Sequence, residues 1–198
     1  MTLGTVFLII IGVIAALILW GLMIYNRLLK LKKYFKKTYV QIDAKLSRRY
    51  ALIPNLVEAT RAYLSHERET LDTVVSATHA AASAMKAMRK DPTSRQAMQS
   101  LLASESFLVN SMLSFNTLTQ ESPELKSNAS ITRLQKELDA TDNHIADAIQ
   151  RYNDNVKNYN EQCSLFPDII LANMFKFEEA AIFEVPDATL ILPMKVRM

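Results

Sequence analysis

The chain has 198 residues, 49% of them hydrophobic, with a formal net charge of +3 and a single cysteine, Cys163. One cysteine rules out an intrachain disulfide framework, and the three glycines (Gly4, Gly12 and Gly21) all fall within the first 25 residues. The remaining chain therefore lacks the glycines of tight hairpins, phosphate loops and nucleophile elbows, which points to helices joined by short turns.

Residues 3–25 form an uninterrupted apolar run with no charged side chain. At ~1.5 Å per residue they span roughly 34 Å as a helix, enough for a hydrocarbon layer of ~30 Å. No Lys or Arg precedes the run, and it ends in Trp20, Met23, Ile24 and Tyr25 with no small-residue cleavage site and no lipobox cysteine. An uncleaved anchor, residues 1–25, fits these features better than a signal peptide.

Residues 26–50 carry nine basic side chains against one acid, Asp43. By the positive-inside rule this places the C-terminal side in the cytoplasm and the N-terminus outside, as a single-pass protein of a cell membrane. Lys32, Lys33, Lys36 and Lys37 are candidates for contact with lipid headgroups, each well-placed cation contributing ~1 kcal/mol. The later residues carry 14 basic and 19 acidic side chains, so the basic cluster sits beside the bilayer and nucleic acid is a poor fit as a partner.

The first long helix is expected to continue from the membrane through Leu28, Leu31, Phe35, Tyr39, Ile42, Leu46, Ile53, Leu56, Thr60 and Tyr63 to about residue 64. Pro54 removes a backbone donor, so a kink or short break is expected near residues 50–53. A second helix follows the turn at Ser65 and His66, with Leu71, Val74, Val75, Thr78, Ala82, Met85 and Met88 on one face. Asp91-Pro92 reads as stop and restart, Asp91 capping and Pro92 in the first turn of a third helix bearing Met98, Leu101, Leu102, Leu108, Met112, Phe115 and Leu118. That helix ends before Glu121-Ser122-Pro123.

The fourth helix, about 127–165, has the most regular pattern: Ile131, Leu134, Leu138, Thr141, Ile145, Ala148, Tyr152, Asn155 or Val156, Tyr159, Gln162 or Cys163, and Phe166. A spacing of 3 and 4 sustained over five heptads implies coiled-coil-like packing, with Thr141, Asn153 and Asn155 as register-setting polar residues. The reading is an all-α fold: an N-terminal transmembrane helix continuing into an antiparallel up-down-up-down four-helix bundle, residues 26–165, with long first and fourth helices. Residues 166–198 form an apolar tail near the membrane, including Ile169, Ile170, Phe175, Phe177, Phe183, Leu190, Ile191 and Leu192. It would pack on the bundle, the lipid or another subunit, so a homo-oligomer is one of its outcomes.

Metal and catalytic motifs are absent. His66, His79 and His144 follow Tyr63, Ser76 and Thr141 by three positions, so none completes the Glu-x-x-His pair of carboxylate-bridged sites. No cofactor or metal is expected, and a non-enzymatic binding role is preferred. The rival, an enzymatic or metal-dependent core, would need Asp43, Glu58, His66, Glu67 and Glu137 to converge. The candidate interaction set is Arg48, Arg49, Pro54, Asn55, His66 and Glu67, whose bland reading is a kinked helix with paired charges and a cap.

Several ordered blocks resemble the LemA family of bacterial membrane proteins: Tyr25-Asn26-Arg27-Leu28, Ile42-Asp43, Leu52-Ile53-Pro54-Asn55-Leu56-Val57, His66-Glu67, Tyr152-Asn153, Tyr159-Asn160 and Phe166-Pro167. The resemblance implies an N-terminal anchor, a bundle of long antiparallel helices and no established enzymatic activity. It also implies a setting beside membrane zinc metalloproteases in envelope quality control. The family pattern differs here in having Glu at Asp142, Arg at Ile149, and a glycine near residues 174–176.

Overall fold

The computed structural model describes residues 3–184; among them are six helices and no strand. The first, α1 (Leu3–Thr60), is a single helix of 58 residues, about 87 Å long at ~1.5 Å per residue. Its apolar N-terminal part is long enough to cross a membrane, and its large side chains there, from Val6 to Met23, are mostly solvent-facing in the isolated chain. The helix then becomes one wall of a core, burying Leu28, Phe35, Tyr39, Ile42, Leu46, Ile53, Leu56 and Thr60.

No break occurs at Pro54, which lies inside the continuous helix. Proline in a helix interior costs about 3 kcal/mol. The neighbouring Leu52, Ile53, Leu56 and Val57 are all buried, and each contributes roughly 1.5–3 kcal/mol of side-chain burial that is lost if the helix opens. Packing therefore outweighs the backbone penalty. The helix also ends earlier than its periodicity suggests, at Thr60, leaving Tyr63 exposed in the following turn.

The helices α2 (Arg68–Lys90) and α3 (Arg95–Glu121) pack against each other, and α2 also packs against α1. On α2 the buried line is Leu71, Val74, Ala77, Thr78, Ala81, Met85 and Met88, so Ala77 and Ala81 take the interior places expected for Val75 and Ala82. Pro92 is not in the first turn of α3. Asp91 instead accepts bonds from the Thr93 amide and hydroxyl, and Ser94 caps α3 by accepting from the Ala97 amide at 3.2 Å. A short α4 (Pro123–Ser127) links α3 to α5 (Ala129–Ser164), whose N-cap Asn128 accepts from the Ser130 and Ile131 amides. The Asn128 amide group also donates to the Tyr63 hydroxyl at 3.1 Å, pinning the α1–α2 turn to the start of α5.

The sequence periodicity of α5 emerges as its buried face: Ile131, Leu138, Thr141, Ile145, Ala148, Tyr152, Val156, Tyr159 and Cys163. Val156 and Cys163 resolve the two ambiguous positions, while Phe166 is 81% exposed and lies off the seam. This face packs along α1. Tyr39 meets Tyr152, Phe35 lies between Tyr152 and Tyr159, and nearer the apolar run Tyr25 meets Phe175 beyond the end of α5. A last short helix, α6 (Asp168–Met174), abuts Gly21, whose nearest neighbour is Leu171. The expected apolar side chains Leu190, Ile191 and Leu192 lie outside the described residues.

Candidate interaction surface beside the apolar run

Two polar arrangements hold the helices and the chain that follows them, the first buried and the second half-buried. The first lies between α1, α3 and α5. Arg49 takes the seam position between Leu46 and Ile53, where an apolar residue would ordinarily stand, and is 4% exposed. Its guanidinium pairs with Glu105 of α3, itself 1% exposed, and with Asp142 of α5 at 3.5 Å. The Tyr50 hydroxyl donates to the second oxygen of Glu105. Burial opposes the charge on Arg49, but Glu105 and Asp142 more than offset it, so the guanidinium is held firmly protonated. Burial also pushes the Asp142 carboxyl up to about 6, with Arg49 pulling the other way. A buried pair of this kind contributes little net stability compared with an apolar pair, but removing one partner leaves the other charge uncompensated, so it specifies which helices meet.

The second arrangement holds the chain after α6. The dipeptide Tyr-Asn occurs twice on α5, at 152–153 and 159–160, one heptad apart. The side-chain amide of Asn160 donates to the Ala180 carbonyl and accepts from the Ala180 amide, both at 2.9 Å. Asn153 does the same for Phe183, at 3.0 and 2.8 Å. Tyr159 donates to the Glu178 carbonyl at 2.9 Å and Tyr152 to the Ala181 carbonyl at 3.0 Å. Each partner advances three residues on the strap for seven on the helix. Three residues of extended chain cover ~9–10 Å, and seven helical residues ~10.5 Å, so the two repeats stay in register. The bonds go to backbone atoms, while Ala180 and Phe183 are buried.

Beyond the second arrangement, toward the apolar run of α1, lies α6. Helix α6 exposes Ile170 and Met174, at 58% and 64%, beside the apolar run of α1. Rings of Tyr25, Phe175 and Phe177 cluster there, and the Lys32 ammonium stands 5.6 Å from the Phe177 ring centroid. The turn out of α6 is closed by the Phe177 amide bonding to the Ala172 carbonyl at 2.8 Å and the Lys176 amide to Asn173 at 3.3 Å. Such a turn places one residue in the left-handed region, usually glycine. Lys176 fills that place at φ 54°, so the turn forms without the glycine of the family pattern.

The expected contact residues do not gather at one place. Arg48 is exposed and pairs with Glu137; Pro54 is half-buried; Asn55, His66 and Glu67 are exposed. Arg49 is interior, so it belongs to the packing of three helices and offers nothing to a partner. Glu67 is the N-cap residue of α2 but makes no side-chain capping bond. Of the four lysines, Lys33 and Lys37 are exposed, whereas Lys32 and Lys36 are half-buried. The residues of the rival metal reading stay apart: Asp43 pairs with Arg89 at 2.9 Å, Glu58 with Arg61 at 3.2 Å, and Glu137 with Arg48. Among the described residues no three His, Cys, Asp or Glu side chains are grouped to hold a metal.

Sequence reasoning missed Glu105, which the spacing of Leu101, Leu108, Met112 and Phe115 places on the α3 seam. A carboxylate at a core position, matched by an arginine at a core position of α1, was the available signal. The strap gave less: only the repeated Tyr-Asn on α5 hinted that something is held there.

The LemA family model matches residues 38–197, which starts beyond the apolar run and takes in the α5 repeat and the strap. No curated protein matches the chain.

Proposed function

The chain belongs to the LemA family, and we propose that it is a single-pass, membrane-anchored helical bundle that acts by binding and scaffolding, with no catalytic step of its own. The N-terminus lies outside and the bundle in the cytoplasm at the bacterial inner membrane. The carrying observation is the continuity of α1, whose apolar part passes without a break into the wall of a packed core. The nine basic residues after the run support the orientation. The order of contacts along α1 and α5 supports an antiparallel, coiled-coil-like up-down-up-down arrangement, since Tyr25, Phe35 and Arg49 meet successively earlier parts of the later chain.

The binding surface in this reading is the membrane-proximal end, where α6 exposes apolar side chains beside a basic neck. Its partners are membrane lipids, together with a membrane protein or a further copy of the chain; a membrane protease system is the setting suggested by resemblance. The test is cross-linking in intact membranes with residue-specific photo-probes at Ile169, Ile170 and, as a control, Asn55. Adducts with protein at the first two sites and not the third are expected. A monomeric chain with no protein adduct at any site would overturn the scaffolding role. A stoichiometric metal in the purified protein would overturn its non-enzymatic part.

A further inference from the structure

Alongside the apolar run, α6 does not lie flat against α1: the two helices leave a groove of about 510 Å³ between them. Ile14, Leu17, Ile18 and Gly21 form one wall, and Leu171 and Phe175 the other. The volume is in the range of ligand sites, ~300–1,000 Å³, yet the lining offers almost nothing to hydrogen-bond. Its α1 wall lies in the half of the apolar run nearer the basic neck, which fixes its depth in one leaflet.

We infer that this groove seats an acyl chain of an anionic phospholipid, whose headgroup is held at the groove's polar end by Lys32 and Lys176. The inference rests on the anchored reading above. Tyr25 closes the polar end, with Phe177 edge-on to it at 5.7 Å and the Lys32 ammonium against the Phe177 ring. Lys176 is exposed between Phe175, a wall residue, and Phe177. The Lys32 ammonium thus stands at the end of an apolar slot, with Lys176 next in the chain to a wall residue, where a lipid changes from chain to phosphate. Of the acids on the strap, Glu179 pairs with Arg95 at 3.0 Å, leaving the exposed Glu178 as the adjacent opposing charge.

A second copy's transmembrane helix fits less well. Close helix pairing in a bilayer favours small residues four apart; the pair of that kind in the run, Gly12 and Ala16, does not line the groove, and Gly21, which does, already faces Leu171. A chain lying in the groove meets protein on two sides, which distinguishes it from a lipid touching the bare face of α1.

The test uses the full chain in nanodiscs of phosphatidylcholine containing a small fraction of phosphatidylglycerol with a diazirine near the end of one acyl chain. Labelled peptides are then mapped. The expected result is labelling several-fold denser on residues 14–25 and 168–175 than on residues 4–11. Leu17→Trp, or Ile18→Trp as an independent filling of the slot, should reduce it several-fold. Lys32→Gln with Lys176→Gln should abolish the preference over a phosphatidylcholine probe while leaving chain labelling in the groove. Even labelling along residues 4–25, which means annular lipid only, would overturn the inference. So would a cross-link between two copies through the groove, or a headgroup preference untouched by the lysine changes. Absence of any label on residues 4–25 would overturn the anchored reading with it.

Discussion

Replacing Asn153 and Asn160 by alanine should release the strap without unfolding the helices. Each asparagine makes one donated and one accepted bond to the strap backbone, all four between 2.8 and 3.0 Å. At a net ~0.5–1.5 kcal/mol per hydrogen bond, each rung is worth about 1–3 kcal/mol. The Ala180 and Phe183 amides have these side chains as their acceptors, so their exchange with solvent reports the rungs directly. With ~1.4 kcal/mol per tenfold, Asn160→Ala should speed exchange at Ala180 by roughly 5- to 100-fold, and Asn153→Ala should do the same at Phe183. Hydrogen exchange on the full chain in nanodiscs, with the α2 and α3 amides as internal controls, separates local release from global loss of stability. If the strap opens as one unit, each single change will accelerate both amides. Unchanged protection at Ala180 and Phe183 in the double variant would refute the ladder as the device holding the strap.

Further changes probe the buried charges and the turn after α6. Glu105→Leu should destabilise the fold by up to about 3–5 kcal/mol because it leaves the buried Arg49 charge with Asp142 alone, at 3.5 Å, and Arg49→Met added to it should restore most of that loss; chemical denaturation of the two single variants and the double variant measures the coupling. The Asp142 carboxyl, pushed up to about 6 from an ordinary 3.8, binds its proton more tightly folded than unfolded, so its contribution to stability falls as pH rises from about 4 to 6 and stays lost above. The difference between the native chain and Asp142→Asn should therefore shift by up to about 3 kcal/mol over that window, at 1.36 kcal/mol per pKa unit, as read from denaturation midpoints at each pH. Lys176→Gly relieves a left-handed backbone costing ~1–2 kcal/mol at an entropic cost of ~0.5–1 kcal/mol, so a slower exchange of the Phe177 amide by up to about tenfold is expected.

The parts of the fold legible in the sequence are those carried by apolar periodicity. On α5 the run from Ile131 to Cys163 gave the buried face because successive seam positions are apolar or aromatic, and Thr141 satisfies its hydroxyl on the Glu137 carbonyl at 2.7 Å. The same logic fails where a seam position is charged. Arg49 and Glu105 look like surface residues until it is known that α1 and α3 bring them together, a fact about three-dimensional pairing across 56 positions. Pro54 misleads for the opposite reason: its local penalty is real, but burial of four neighbours decides. The strap is the least legible part because α5 binds its backbone atoms, which every residue possesses, so the strap's own side chains carry little trace of the contact.

Helix length explains why the candidate surface lies beside the apolar run. Residues 26–60 of α1 and the 36 residues of α5 are each about 52–54 Å long as helices. A chain that turns at the end of α1 and returns along it on α5 therefore runs out of helix level with Tyr25, where α6 meets Gly21 and Phe175 meets Tyr25. The Tyr-Asn repeat then sends the strap back along α5, from Glu178 beside Tyr159 to Phe183 beside Asn153. The element α6 is thus tied at both ends to the same helix, by direct continuation from α5 and by the ladder returning to it. A ligand that displaces α6 from Gly21 must strain either the turn at Lys176 or the rung at Asn160. Conversely, weakening that rung should loosen the groove: Asn160→Ala should lower diazirine labelling of residues 168–175 more than that of residues 4–11. Equal labelling in the native chain and the variant would show that α6 holds its place without the strap.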